Sequence, residues 1–375
     1  MTARSVALAL GFLVPSLTLA VDAPAAPPTF AEQVKGSFAR WDRDHDGTLS
    51  REEIDHAVSD PKVKGPEAAA VVALKRAMRS KTAKLPPLTQ DATTQFAAAK
   101  PAKDQPDLNA MYASALTKIT KANRELFAKG TPNLDDLNQG KLGDCFCLAP
   151  LGSMVCRDPK DVVKMIRQQK DGSFLVKLGT KDIAVPAPTD AELALTASAG
   201  ADGLWVNVYE KAIGLVRLEK AKSEGTEKAS LIDLLGKGGS AGTMIEVVTG
   251  HAIVRFSCKY AKEAATTEKE REAKLVELRK LLTETFAASR LVTCGTATGV
   301  TTPGVNGNHA YAVTGYDAKT DEIGLWNPHG QNFTPKGTPG LEHGYPTKDG
   351  RFRVPLAQFV RTFAGVAFET PAQVK

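Results

Sequence analysis

The amino-acid sequence predicts a mixed α+β fold, and two patterns lead to this prediction. From about residue 66 to residue 128 the chain is rich in Ala, Lys and Thr, and it contains two segments with apolar residues at helical spacing. From about residue 131 onward, helical segments alternate with short strand-like segments. In this second region the helices gather toward the front and the strands toward the back, which is the order of an α+β domain.

The individual elements follow from periodicity and from capping and turn residues. Helices are expected over residues 65–80 and 107–130, with a linker over residues 82–105 between them. The predicted elements of the second region are helices over 142–155 and 158–169, a hairpin over 172–187, helices over 203–220 and 266–289, a strand over 290–298, and two strands joined by a turn over 308–328.

Length and composition limit the function classes. The chain has 375 residues, of which 42% are hydrophobic and 24% are charged, values that are ordinary for a soluble globular protein of one large domain or two. The formal charge of +6 is mild, and the positive residues do not collect in one block. We therefore expect no nucleic-acid partner.

The first twenty residues read MTARSVALALGFLVPSLTLA. One Arg, an apolar run and a small residue at Ala20 indicate a secretory signal peptide over residues 1–20. The alternative is an N-terminal anchor, but the apolar run is short for a membrane span. We expect residues 21–30, which are rich in Pro and Ala, to form a linker. The mature protein is expected to be exported, either periplasmic or secreted, without membrane association.

Residues 42–53, DRDHDGTLSREE, fit the twelve-residue calcium loop of an EF-hand. Gly47 at position six provides the sharp turn, and the flanking residues are expected to form the entering and leaving helices. An acidic turn without an ion is the alternative. No second loop is evident, so a structural or extracellular-affinity site is expected rather than a cytosolic sensor. The predicted Ca²⁺ ligands are Asp42, Asp44, Asp46, Thr48 through its carbonyl, Ser50 through water, and Glu53.

The five cysteines raise the alternatives of a nucleophile, a metal site, a disulfide or buried filler. Cys145 follows Gly143 and Asp144 and opens an apolar helical run. Its sulfur is therefore expected at a helix N-terminus, where the helix dipole lowers a thiol pKa. The amide of Gln139 is a candidate oxyanion donor, together with the backbone N–H of Cys145. Cys147 would face away from Cys145 on a helix, which favours a core or disulfide role over zinc binding.

A cysteine nucleophile needs a base, and His309 starts an apolar strand after a glycine-rich loop. His309 and Asn327 are symmetric about residue 318, in the middle of the turn DAKTD. If the two strands pair as a simple hairpin, the two side chains stand opposite each other. Asn327 would then orient the imidazole, as in a Cys-His-Asn site. A slip of one residue would separate them.

Several motifs resemble those of the calpain family of papain-like cysteine proteases. QGKLGDCFCLAPLGS resembles the family's active-site pattern, GLWVNVYEKAIG its L-W-x-x-x-x-E-K-A helix, and GGSAGTMIEVVTG its glycine-rich stretch. SRLVTCG resembles the strand that precedes the histidine, NHAYAVTGY resembles G-H-A-Y-x-V, and WNPHG resembles R-N-P-W-G. The motifs occur in family order over residues 131 to about 375, so the resemblance covers the protease core.

The resemblance implies a papain-like two-lobed core, in which a helical lobe carries the cysteine and a β-sheet lobe carries the histidine and asparagine. It implies hydrolysis of protein or peptide substrates through an acyl-enzyme. It also implies calcium binding within the core, at Asp136 and, more weakly, at Glu210. The catalytic residues that it assigns are Cys145 as nucleophile, His309 as base, Asn327 as orienting residue and Gln139 as oxyanion donor.

The chain departs from the family pattern in three places. Phe146 follows the nucleophile where Trp is common, and Cys147 and Pro150 interrupt the usual apolar run. His329 stands where a Trp follows Asn-Pro. Because that Trp shields the Asn-His pair from water, His329 bears on the pH optimum and removes no catalytic group.

The predicted organisation is a signal peptide (1–20), a linker (21–30), an EF-hand motif (31–60), a helical spacer or pro-segment (61–130) and a protease domain (131–375). Residues 66–128 are expected to cover the cleft or to act as a removable segment that keeps an exported protease inactive. Two alternatives to a calcium-dependent endopeptidase remain open. One is a weakly active or inactive calcium-binding scaffold with the same fold, and the other is an acyl transferase with an amine acceptor.

Overall fold

The computed structural model describes residues 26–371, apart from residues 81, 83 and 226–228. The predicted signal peptide lies outside the described residues. Among the helices of the described part, none combines the length and apolar character needed to cross a bilayer. The helices are α1 (Phe30–Trp41), α2 (Arg51–Ser59), α3 (Gly65–Arg79), α4 (Gln90–Ala98), α5 (Leu108–Lys121), α6 (Cys145–Arg157), α7 (Pro159–Met165), α8 (Asp190–Leu195), α9 (Trp205–Ser223), α10 (Leu231–Gly236), α11 (Ala241–Thr249), α12 (Glu268–Ala287) and α13 (Leu356–Thr362). The strands are β1 (Ile166–Gln168), β2 (Phe174–Leu178), β3 (Lys181–Val185), β4 (Ile253–Ser257), β5 (Val292–Gly295), β6 (Ala310–Asp317), β7 (Glu322–Trp326), β8 (Arg351–Pro355) and β9 (Gly365–Glu369).

Two apolar cores divide the described residues into two lobes. The larger core joins α1–α11 with the three-stranded sheet β1-β2-β3, and it receives Ala312 and Trp326 from the second lobe. The smaller core lies between a six-stranded sheet and helices α12 and α13. That sheet has the strand order β4-β9-β5-β6-β7-β8, and its neighbouring strands run antiparallel. The α+β prediction is confirmed, with helices in one lobe and most strands in the other.

The N-terminal region differs from its prediction in one important respect. Residues 82–105, predicted as a linker, contain α4. The α3–loop–α4 unit packs on α1–loop–α2, with α1 against α4 and α2 against α3. The backbone N–H of Leu49 donates to the carbonyl of Leu88 at 3.0 Å, and the N-caps Ser50 and Thr89 occupy equivalent places in the two units. The predicted EF-hand therefore packs against a second helix–loop–helix unit, α3–loop–α4. The residues KLPPLTQ, which precede and begin α4, contain no acidic side chain that could bind an ion.

Helix α3 ties residues 61–130 into the helical lobe. Residues 68–74 of this helix are all fully buried. The next residue, Lys75, is also fully buried and pairs with Asp55 of α2 and with Asp233 of α10. Burying an unpaired ammonium would cost several kcal/mol, so these carboxylates are needed for α3 to pack as it does. This packing argues against the expectation that the segment is removable.

Helix α6 begins at Cys145 and crosses the boundary between the lobes. A Cβ atom at Gly152 would lie 2.5 Å from Cε3 of Trp326, so α6 and the hairpin β6–β7 approach as closely as only a glycine allows. Cys147 is fully buried in the first turn, as its spacing predicts. All five cysteines of the chain are free thiols, and no disulfide forms between them. The lobes are therefore joined here without a disulfide, by packing and by a buried hydrogen bond of 2.6 Å from Ser153 Oγ in α6 to the carbonyl of Val292 in β5.

Candidate active site

A cavity of about 460 Å³ lies between the two lobes. Cys145 enters it from the N-terminus of α6, and His309 enters it from the residue before β6. The remaining wall comes from residues 239–242, 255–257, 293–296 and 364–367, together with the neighbours of His309. Among the described residues of the 61–130 segment, none lines this cavity. The structure thus brings the predicted nucleophile and base together and does not place the predicted covering segment over them.

The sulfur of Cys145 lies among backbone N–H groups. The N–H groups of Ala310 and Phe146, and that of Cys145 itself, lie close enough to act on its pKa. Gly143, at φ 87°, makes the left-handed turn that starts α6 two residues later. Burial raises the pKa of the Cys145 thiol and the nearby Asp144 carboxylate adds to the increase, whereas the N–H groups favour the thiolate. The resting side chain is therefore a thiol that needs a base.

The imidazole of His309 is held on two sides. Its Nε2 lies 2.8 Å from Oδ1 of Asn327, and the Nδ2 of Asn327 donates to Oδ1 of Asn306 at 2.8 Å. Because Asn306 takes the amide N–H, the Asn327 oxygen faces the imidazole and accepts from Nε2–H, which leaves Nδ1 as the basic nitrogen. His329 stacks on the other face of the imidazole at 4.6 Å between ring centroids and 7° between planes.

Burial and the neighbouring imidazole of His329 determine the protonation state of His309. Burial lowers the pKa of His309 to about 4; the neighbouring His329 adds to the decrease, and the Asn327 hydrogen bond opposes it. Burial also lowers the pKa of His329. Both imidazoles are therefore neutral near pH 7. His329 occupies the position at which the family pattern has a Trp, and it covers one face of the His309 imidazole.

The predicted cross-strand register of His309 and Asn327 is wrong by two residues. Ala312 pairs with Trp326, so the same register carried on toward the cavity sets His309 opposite His329 and leaves Asn327 one diagonal step away. A slip of two residues keeps both side chains on one face of the sheet, and the hydrogen bond forms along the diagonal.

A β-bulge makes this possible. The register shifts by one residue between Val313 and Gly315, so that Thr314 is the extra residue on β6. If the register at the turn continued without this shift, the side chains of His309 and Asn327 would lie on opposite faces of the sheet. Nothing in the spacing of the sequence indicated this bulge.

The carboxyl groups behind Cys145 form a buried pair. Asp144 and Glu210 are fully buried and adjacent, and the oxygens of Glu210 accept from the N–H of Ala197, at 2.9 and 3.2 Å. Burial raises the pKa of Glu210 well above its ordinary value, and the adjacent Asp144 reinforces the change. Gln139 lies beside Asp144, whose two carboxylate oxygens are buried without a hydrogen-bond partner, and Gln139 does not line the cavity. A neutral, enclosed Glu210 does not fit the role of a calcium ligand.

The structure does not assemble calcium ligands around Asp136. Its carboxylate lies 2.9 Å from the Nζ of Lys129, which also lies 3.4 Å from Asp202. The ammonium group thus neutralises the carboxylates at this place. Within the described residues, the acidic cluster close enough to hold a metal is the one in the 42–53 loop.

Three of the predicted calcium ligands lie together in the 42–53 loop, whereas Glu53 accepts from the N–H groups of Arg43 and Ser50. One carboxylate oxygen from each of Asp42, Asp44 and Asp46 lies within 4.8 Å of the others. The Oδ1 atom of Asp42 is buried without a hydrogen-bond partner, which is costly unless a cation or donor meets it. Burial acts to raise the pKa of Glu53, but backbone N–H groups of Ser50 and Arg43 hold it below its ordinary value, so this carboxylate is charged. Oxygen donors of this kind suit Ca²⁺.

Comparison with known proteins adds a family to this geometry. Residues 113–338 match the sequence model described as calpain family cysteine protease, which covers more than half of the chain. The chain belongs to the calpain family of cysteine proteases. No curated protein sequence matches it. The calpain family match contains Cys145, His309 and Asn327, and it begins within α5, inside the segment predicted as a spacer.

Two features of this calpain family site were missed from the sequence. One is Asn306, which fixes the amide orientation of Asn327. The other is the N–H of Ala310, which lies near the Cys145 sulfur and favours its thiolate. Asn306 lies in the glycine-rich loop before His309. Its polar side chain at that place in the sequence could have marked it as a candidate site residue.

Proposed function

We propose that this protein is an endopeptidase that cleaves protein or peptide substrates through an acyl-enzyme on Cys145. The observation that carries the proposal is the placement of Cys145 at a helix N-terminus in one cavity with a His309 imidazole that Asn327 orients. Membership of the calpain family supports cysteine protease chemistry. The catalytic roles of the individual residues are our proposal.

The reaction begins with proton transfer from the Cys145 thiol to the neutral His309 imidazole. The thiolate attacks the carbonyl carbon of the scissile peptide bond, and the N–H of Cys145 at the helix start stabilises the oxyanion. Gln139 is the proposed second donor, and this role requires its buried amide to reach the cavity. His309 then protonates the leaving amine as the C–N bond breaks, and water, deprotonated by His309, hydrolyses the thioester.

The lowered pKa of His309 bears on the pH range of this reaction. A general base must be unprotonated before it can act, and the pKa of His309 is lowered to about 4. We therefore expect activity to decrease through protonation of His309 only well below pH 6.5. The Asn327 hydrogen bond stabilises the imidazolium that forms during catalysis.

Calcium binding is proposed at the EF-hand. The residues that would hold the ion are Asp42, Asp44, Asp46 and Glu53, with the Thr48 carbonyl and a water on Ser50. A bound Ca²⁺ would neutralise the crowded carboxylates and stabilise the junction of α1 and α2. The sequence-based expectation of a second calcium site at Asp136 is not part of this proposal, since Lys129 already pairs with that carboxylate.

Export after removal of residues 1–20 is also proposed, on the composition of that segment. N-terminal sequencing of the protein purified from outside the cytoplasm should begin at Val21. Protein recovered only from the cytoplasm with an intact first residue would contradict export and leave the protease proposal untouched.

Labelling with a thiol-directed epoxide peptide tests the catalytic proposal. The probe should modify Cys145 and block hydrolysis of a fluorogenic peptide, and Cys145→Ala should abolish both results. Cys156→Ala is the matched control, because Cys156 is the exposed thiol outside the cavity and its loss should change neither result. A correctly folded protein that neither labels nor hydrolyses peptides, with or without calcium, would instead support the scaffold alternative. Product analysis with an added amine would reveal acyl transfer.

A further inference from the structure

We propose that Arg79 positions the loop that carries the nucleophile. Arg79 ends α3 and lies outside the region that matches the calpain family. This inference rests on the proposed role of Cys145. Residues 66–128 were expected to cover the cleft and keep the protease inactive. The inference instead makes Arg79, which lies in that segment, a residue that supports the active site.

The contact is made to the backbone just before the nucleophile. The Nη2 of Arg79 donates to the carbonyl of Leu142 at 3.1 Å. Leu142 is buried, and Gly143 at φ 87° follows it and turns the chain into Asp144 and Cys145. A hydrogen bond to this carbonyl therefore holds the hinge whose angle sets where the Cys145 sulfur lies. Errors of about 1 Å in such placement can cost about 100-fold in rate.

Gly236 packs closely against the guanidinium of Arg79. A Cβ atom on Gly236, at the end of α10, would lie 1.9 Å from Nη2 of Arg79 and 3.1 Å from the Leu142 carbonyl oxygen. Only a glycine at position 236 leaves room for the Arg79–Leu142 contact.

A cluster of charges holds Arg79 from the other side. Its Nε lies 3.5 Å from Asp233, which lies 2.8 Å from the Nζ of the fully buried Lys75. Lys75 also pairs with Asp55 of α2, and Arg51 of α2 lies 3.4 Å from Asp233. Lys75 is fully buried, so its two carboxylate partners must stay close to it to offset the cost of burying its charge. The cluster connects α2 of the EF-hand, through Asp233, to Arg79.

Arg76 provides a matched control on the same helix. It lies one turn before Arg79 and donates to the carbonyl of Ala194 at 2.8 Å, also within the helical lobe. Burial lowers the pKa of both guanidinium groups. Arg76 therefore has a comparable structural task, and its carbonyl partner is not next to the nucleophile.

The experiment compares Arg79→Gln with Arg76→Gln in the full chain. The readouts are kcat and KM on a fluorogenic peptide, the iodoacetamide alkylation rate of Cys145 by mass spectrometry, and the melting temperature. We expect Arg79→Gln to lower kcat and the alkylation rate about tenfold or more with a smaller change in KM. Arg76→Gln should lower the melting temperature by a similar amount and leave the alkylation rate within about twofold.

Gly236→Ala tests the same contact without changing Arg79. It should reproduce the slow alkylation, because the added methyl group displaces the guanidinium from Leu142. Equal alkylation rates in Arg79→Gln, Arg76→Gln and wild type, all folded, would overturn the proposal. The alkylation readout needs no turnover, so an inactive wild-type protein would refute the proposed function and still leave this comparison decisive.

The link to α2 adds an expectation about calcium. If the cluster transmits the state of the EF-hand, calcium should change the alkylation rate of wild-type Cys145 and leave that of Arg79→Gln unchanged, while raising the melting temperature of both. An equal calcium effect on the two alkylation rates would refute this link.

Discussion

The enclosed imidazole of His309 should make the protein sensitive to acid. His309 is 8% exposed, and burial lowers its pKa from 6.5 to about 4. Because the unfolded chain binds this proton at a higher pH than the folded chain, stability is full above pH 6.5 and decreases as the pH falls toward 4. Between pH 7 and pH 5 the linkage amounts to about 2 kcal/mol of unfolding free energy.

Urea denaturation at the two pH values measures this quantity. A Cys145→Ala background prevents self-cleavage, and the three tryptophans, all buried, report unfolding by fluorescence. His309→Gln should lose about 2 kcal/mol less stability than the background protein between pH 7 and pH 5. His56→Gln, at an exposed position of α2, should leave the acid-induced loss unchanged. The same loss in the His309→Gln and background proteins would refute the assignment of a buried, neutral imidazole.

Three further predictions follow from the packing, the EF-hand and the amide network. Gly152→Ala should destabilise the protein by about 1–3 kcal/mol in urea because its methyl group would overlap a buried indole, whereas Gly36→Ala, in open space within α1, should stabilise it by about 1 kcal/mol. Asp42→Ala should abolish the increase in melting temperature on calcium addition, which Glu52→Gln should retain; an equal increase in both would contradict calcium binding in the loop. Asn306→Ala should lower kcat about fivefold, the equivalent of one hydrogen bond of about 1 kcal/mol, and an unchanged kcat would show that the catalytic amide needs no such anchor.

Local patterns were sufficient for many parts of this protein. The helical run that opens at Cys145, the strands on either side of the DAKTD turn and the two helices that flank the 42–53 loop were all predicted, because each depends on residues close together in the chain. The identities of His309 and Asn327 also followed from their own motifs. Their hydrogen bond did form, although the register used to predict it was wrong.

Contacts between distant segments were beyond such patterns. The α3–loop–α4 unit has no acidic residues in its loop to mark it, so only its packing on the α1–loop–α2 unit reveals it as a partner. Lys129 beside Asp136, and Glu210 beside Asp144, changed two predicted calcium ligands into members of an ion pair and of a buried acid pair. Charge state depends on what surrounds a side chain in space, and sequence spacing does not contain that information.

The sequence by itself determined the α+β class, the family and the residue types of the site, since periodicity and motif spacing are properties of the chain. Only the tertiary structure decided where those residues act. The bulge at Thr314 sets the face on which His309 meets Asn327, and the Arg79–Leu142 contact ties the N-terminal helices to the nucleophile loop. Both results depend on the mutual fit of segments far apart in the chain, where shifts of one residue or about one ångström change which groups meet.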